Sequence, residues 1–127
     1  MAAGIKIREK EGEPKKSTRY YSSRQEKQVA KKVGGRQTAN SGATDFGGKS
    51  DVSISGLFNL ECKTKTSPSE SISIKKEWIE KNHREAVFDG HPYSAVVFNF
   101  GPDQENYYII DEYLFQDLVE YLKEVKR

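Results

Sequence analysis

The chain has one cysteine among 127 residues, one tryptophan and one methionine, and no apolar run approaching the ~18 residues of a membrane span. A lone cysteine, Cys62, excludes an internal disulfide and leaves no cluster for zinc; it reads as a core residue. The N-terminus lacks the apolar segment of a signal peptide, so a soluble, cytoplasmic protein is expected, in the host cell cytoplasm if the chain is phage-encoded, with no membrane partner. Apolar residues make up only 35% and charged residues 31% of the chain, which implies one domain with a small core and a wet surface. No internal repeat or second domain is visible.

The net charge of +2 hides an asymmetry. Residues 1 to 36 hold 11 Lys/Arg against 4 Asp/Glu, and residues 37 to 127 hold 10 against 15. The basic end suits an anionic polymer, and the acidic remainder suits cations. Residues 1 to 21 are polar and without apolar period beyond Ile5 and Ile7, so they read as a flexible basic arm, with the domain over 22 to 127. Lys15, Lys16, Arg19, Tyr20 and Tyr21 combine phosphate-binding charge with rings that stack on bases; the alternative is a solubilising tail.

The informative stretch is Lys49 to Lys63, KSDVSISGLFNLECK. Val52 and Ile54 alternate on one strand, and Phe58, Leu60 and Cys62 on the next, leaving Asp51, Glu61 and Lys63 as the polar set. Bringing the two apolar sets to one face requires Ile54 opposite Phe58 and a three-residue loop, Ser55, Gly56 and Leu57. Asp51 then lies across from Glu61, with α-carbons roughly 4.5 to 5.5 Å apart. Like charges so placed repel, and a bound cation between them resolves the conflict. Two carboxylates and a lysine on one strand pair are what metal-assisted phosphodiester hydrolysis needs: the acids hold Mg²⁺, and the lysine orients water or offsets transition-state charge.

Asp51, nine intervening residues, then Glu61-Cys62-Lys63 resembles the motif of the PD-(D/E)xK nucleases. The lead-in from Ser41-Gly42 and the short chain are most similar to phage and archaeal Holliday-junction resolvases. Ser50 stands where the motif name has proline, a position that binds nothing in the family pattern. The resemblance implies an α/β restriction-endonuclease-like fold, a mixed central sheet flanked by helices. It also implies Mg²⁺, or Mn²⁺ in its place, held by Asp51 and Glu61, with Lys63 as catalytic lysine and branched or duplex DNA as substrate. A nuclease for linear or damaged DNA and a non-catalytic DNA-binding module are the alternatives. Resolving a two-fold junction takes two symmetric cuts, so a homodimer is expected, with Tyr107, Tyr108, Tyr113 and Phe115 as interface candidates.

Elsewhere, Ser23 and Glu26 form a capping-box pattern and Gly34-Gly35 a stop, predicting a helix over 24 to 33. Glu26 is either a cap alone or, by the resemblance, a third acid at the metal. Arg24 precedes it and Lys27 follows, and either can contact phosphate. Residues 36 to 49 suit a short strand and a glycine-rich loop, in which Ser41 and Lys49 are further DNA contacts and Asp45 a loop cap. Gly48-Lys49-Ser50 does not make a phosphate-binding P-loop, because position 43 is alanine and a strand follows. A helix from about Ile74 to Ala86 opens with Lys75 and Lys76, where the helix dipole disfavours cations; Lys75 is either a phosphate contact or part of a solvated face. His83 and His91 have no partner at metal-ligand spacing. Strands follow over Tyr93 to Phe100 and Tyr107 to Ile110. Asp111 then caps a last helix with the apolar stripe Leu114, Leu118, Leu122 and Val125, which should pack on the core or on a partner subunit.

Overall fold

A computed structural model describes residues 16 to 38 and 50 to 126. The order is α1 (Thr18–Val33), β1 (Arg36–Gln37), β2 (Val52–Ile54), β3 (Phe58–Lys63), α2 (Lys76–Asp89), β4 (Tyr93–Phe98), β5 (Tyr107–Ile109) and α3 (Glu112–Val125). This is the expected sequence of helix, three strands, helix, two strands, helix. The five strands form one sheet in chain order, antiparallel except for the parallel pair β3 and β4, which α2 connects. It is an α/β fold with a mixed sheet. No helix among the described residues is long and apolar enough to cross a membrane.

α1 starts earlier than the capping-box pattern suggested. Ser17, not Ser23, is its N-cap: the Tyr20 backbone N–H donates to the Ser17 hydroxyl at 3.2 Å. Ser23 lies one and a half turns inside the helix, where its hydroxyl accepts from the Gln37 amide at 3.3 Å. Residues 18 to 21, assigned to the arm by composition, are therefore helical; residues 1 to 15 lie outside the described residues. Gly34 ends the helix at φ 70°, and Gly35 then runs so close to β2 that a Cβ there would meet the Ser53 carbonyl oxygen at 2.7 Å.

The β2–β3 hairpin has the expected register, Ile54 opposite Phe58 and Val52 opposite Leu60, with Gly56 at φ 75° in the three-residue loop. That register sends Val52, Leu60 and Cys62 to the face covered by α1, where they form the core with Val29, Ala30, Ala95 and Val97. The alternate face is not open to solvent, because α2 lies across it on a buried polar seam. Asn82 donates to the carbonyls of Asn59 and Ala95, both at 3.0 Å, and its own oxygen accepts from the Ser50 hydroxyl at 2.7 Å. The Ser50 hydroxyl also lies 2.8 Å from Glu85 and accepts from the Asn59 amide at 2.9 Å. Ser50, whose place in the motif carries no ligand role, is thus fully buried and fixes β2 to α2. His91 is structural too: Nδ1 meets the Asn59 side-chain oxygen at 2.6 Å, and Nε2 accepts from the Gly56 N–H.

α2 spans Lys76–Asp89 rather than ending at Ala86, and it stops at Gly90 in the left-handed region. β4 and β5 end earlier than expected, at Phe98 and Ile109, each where the chain turns away. Asp111 caps α3 as expected, accepting from Leu114 N–H at 2.8 Å. The stripe of α3, however, does not reach the core of its own chain: no residue of this helix is buried.

Removing Asn82 takes a donor from two buried carbonyls and an acceptor from the Ser50 hydroxyl at once. Asn82→Ala should cost about 2–4 kcal/mol, whereas Lys76→Ala at the exposed end of α2 should stay within about 0.5 kcal/mol. Urea midpoints of the two variants check this; equal midpoints would show that the seam does not hold the fold.

Candidate functional site

Continuing the β2–β3 ladder one step past Val52 and Leu60 places Asp51 beside Glu61, as the alternation required. Asp51 is held by its own hairpin: Oδ2 accepts the Cys62 backbone N–H at 2.8 Å. Glu61 approaches from the α2 side of the sheet, only 7% exposed. Glu26 approaches from α1 and is 1% exposed. With the cap at Ser17, Glu26 stands more than two turns into the helix and cannot be a capping-box glutamate. It is a buried acid facing the hairpin, with Gln37 donating to Oε1 at 3.0 Å and Arg19 paired to Oε2 at 3.4 Å.

Burial is the first reason that both glutamates are pushed above the ordinary carboxylate range, and the negative charge of Asp51 is the second for each. Asp51 is therefore the common neighbour of two acids that come from different elements. Lys63 works against the shift at both, and Arg19 at Glu26 and Lys81 at Glu61 oppose it as well. Burial, then the fields of the three acids, push the Cys62 thiol far up, so it stays protonated and inert.

Lys63 is positioned at both ends. Its Nζ lies 3.3 Å from Glu61 Oε2 and 4.5 Å from the centre of the Trp78 ring. Its carbonyl accepts from the Gln25 amide at 2.9 Å. Trp78 also carries Lys75 Nζ at 6.0 Å, so α2 brings Lys75 to the same flank as Lys63. Lys81, which sequence reasoning passed over, lies 3.0 Å from Glu85 and within the field of Glu61 and Asp51. Its i, i+4 spacing to Glu85 and its place one turn after Trp78 were the available signals.

The remaining candidates are dispersed. Arg24 is engaged elsewhere, its Nε bonded at 2.8 Å to Asp103 on the β4–β5 turn, with Gln28 donating to the same oxygen. Lys27 is exposed on α1. Ser41, Asp45 and Lys49 lie outside the described residues.

The donor set is all carboxylate oxygen, which suits a hard cation such as Mg²⁺ or Mn²⁺. Among the described residues no three His, Cys, Asp or Glu side chains are grouped to hold a metal ion. The acids are instead partly offset by the chain's own donors, Lys63 at Glu61, Arg19 at Glu26 and the Cys62 N–H at Asp51. What the arrangement offers chemically is a strongly negative, half-desolvated cluster with one lysine at its edge.

The sign of the carboxyl shifts sets a pH dependence. An acid whose folded pKa is raised contributes its full share of stability below the unfolded pKa, and stability falls as pH climbs toward the folded value. Without metal, wild type should therefore lose melting temperature relative to Glu61→Gln as pH rises above the ordinary glutamate value of about 4. Asp51→Asn, which removes the shared repulsion while keeping an acceptor for Cys62 N–H, should narrow that gap. Parallel thermal melts in EDTA test this; a gap that stays constant with pH would contradict the raised carboxyl.

Comparison of this chain with protein-family models, curated proteins and solved structures finds no match.

Proposed function

We propose that this protein is a metal-dependent endonuclease of the PD-(D/E)xK type, with a restriction-endonuclease-like fold, that hydrolyses phosphodiester bonds in branched DNA. The observation that carries the reading is that Asp51 acts electrostatically on both buried glutamates, Glu26 from α1 and Glu61 from β3, with Lys63 paired to Glu61 at 3.3 Å. Two of these acids are desolvated and share a third as neighbour. Burying carboxylates is costly unless a cation or a reaction repays it, and DNA binding alone gains nothing from acids clustered near phosphates. The reading therefore favours catalysis over a non-catalytic DNA-binding module.

In this reading Asp51 and Glu61 hold Mg²⁺ or Mn²⁺, with Glu26 as accessory acid. The ion supplies Lewis-acid polarisation of the phosphate and a more acidic bound water. Lys63, already at the edge of the cluster and oriented by Trp78, faces the scissile phosphate and offsets the negative charge that builds on it. Lys75 on the same flank, and Lys27 with the basic residues at the N-terminal end, carry phosphate contacts away from the reacting bond. Two symmetric cuts require two such sites, so the acting species is a homodimer, at work in the cytoplasm.

Purified protein with Mg²⁺, offered a four-way junction, a Y-fork and a linear duplex in parallel, tests this directly. The junction should be cut in preference, and a cruciform plasmid should give linear product rather than a nicked circle. Glu61→Gln and Asp51→Asn should lower cleavage by roughly a hundredfold or more while junction binding in Ca²⁺ persists. Equal cutting of all three substrates would move the reading to a nuclease for linear or damaged DNA. Normal cutting by Glu61→Gln would remove the site assignment.

A further inference from the structure

α3 is a 14-residue amphipathic helix that leaves its own chain bare. It has no substantial packing contact with any other element among the described residues. Leu118 is 41% exposed, Leu122 42%, Val125 55% and Tyr121 63%, all on or beside one stripe. The same chain carries an apolar groove of about 730 Å³ between α2 and the β4–β5 edge, lined by Ile79, His83, Arg84, Val96, Ile109 and Ile110. Val87 and Phe88, 64% and 72% exposed, prolong its α2 wall. One chain thus presents a helix without a seat and a seat without a helix.

We infer that these two surfaces meet between copies: α3 of one chain lies in the α2/β5 groove of a second, and the exchange is reciprocal. The inference specifies the interface of the homodimer named above and is independent of the chemistry at Asp51.

Three observations fix a second copy as the occupant. The first is the connection. Only Ile110 and Asp111 separate β5 from α3, the short end of the roughly 2 to 6 residues usual for such links. Asp111 is moreover committed to capping α3. A link this short leaves the chain little slack to fold α3 back, and α3 makes no substantial packing contact with α2 or the sheet, the condition under which elements are exchanged between identical chains.

The second is charge. α3 carries Glu112, Asp117, Glu120 and Glu124 against Lys123. The groove rim presents the exposed Arg84 guanidinium, while of its two acids Glu80 is paired to Lys76 at 3.7 Å and Asp111 is taken up in capping α3. An acidic helix therefore enters a groove whose rim offers it a guanidinium.

The third is area. Half the lateral surface of a helix about 11 Å across and about 21 Å long is about 360 Å². A reciprocal exchange covers two such helix faces and two grooves, about 1,450 Å², within the roughly 1,200 to 2,000 Å² of a stable interface. Because each chain gives and receives the same element, the contact closes on a two-fold axis and does not propagate.

Mixing of two variants tests the exchange. Leu118→Glu with Leu122→Glu spoils the helix, and Ile79→Glu with His83→Glu spoils the groove; all four positions are exposed, so both chains should keep the wild-type circular dichroism. Wild type at micromolar concentration should sediment at twice the chain mass, and each variant alone at the chain mass. An equimolar mixture should recover dimer, because one heterodimer combination joins an intact helix to an intact groove.

A monomeric wild type overturns the inference. So does a dimer that survives either variant, and so does a mixture that stays monomeric while both parts are folded, the result expected if the helices pair with each other or return to their own grooves. Cleavage assays on the same samples separate this from the nuclease reading: a dimer that does not cut leaves the interface standing.

Discussion

The pairing of Ile54 with Phe58 decides which way every residue of the hairpin faces. With side chains alternating across a strand, a slip of one residue would send Val52, Leu60 and Cys62 to the polar face and turn Glu61 into the apolar core. Gly56 at positive φ supports the three-residue loop that sets this register, and the core cluster rewards it. The apolar half of the hairpin is anchored by α1; its polar half becomes a constellation because the same register fixes it. Core and candidate site are two faces of one choice.

The face opposite the core shows how a small protein can hold charged groups rigidly. Ser50, Asn59, Asn82 and Glu85 are all buried there, in hydrogen bonds that leave little rotational freedom. A buried polar network is costly when half satisfied and specifying when complete. In this seam the donors and acceptors belong to residues next to the acids: Ser50 precedes Asp51, and Asn59 lies two residues before Glu61. Positional control over the carboxylates therefore comes through the backbone of their immediate neighbours, and the carboxylates themselves are left to respond to charge.

The sequence made some of this legible and hid the rest, for physical reasons. Alternation with a short glycine loop is a strong local signal, so the hairpin register and the faces of Asp51, Glu61 and Lys63 followed from it. The start of α1 did not. Ser17 and Ser23 are both plausible caps, and Ser23 with Glu26 three residues later matches the local pattern better. What overrides it is tertiary: Gln25, Glu26, Val29 and Ala30 are buried, Glu26 is held by Gln37 from β1, and the helix extends back through Arg19, which pairs with Glu26. The α2 seam was hidden for a related reason. Asn, Ser and Glu on a helix and strand read as solvated, and only the sheet topology reveals that a helix covers them. Lys81 and Arg24 show the same limit for cations, one drawn toward the acids and the other taken by Asp103 across 79 residues.

The apolar stripe of α3 is the most instructive case. Period and cap predicted the helix correctly, because they are properties of the segment itself. The partner of the stripe is not a property of the segment. The core that the chain buries consists mostly of small side chains, Val, Ala and Cys with one Leu, filled by β2, β3, β4 and α1. Phe88, Tyr113, Phe115 and Tyr121 remain outside it. A stripe of period 3.6 states that something apolar must cover it, and a core already closed on both faces by α1 and α2 has no room to do so. Apolar surface in excess of what one small domain can enclose is a statement about assembly, and it is written in the same periodicity that predicts the helix.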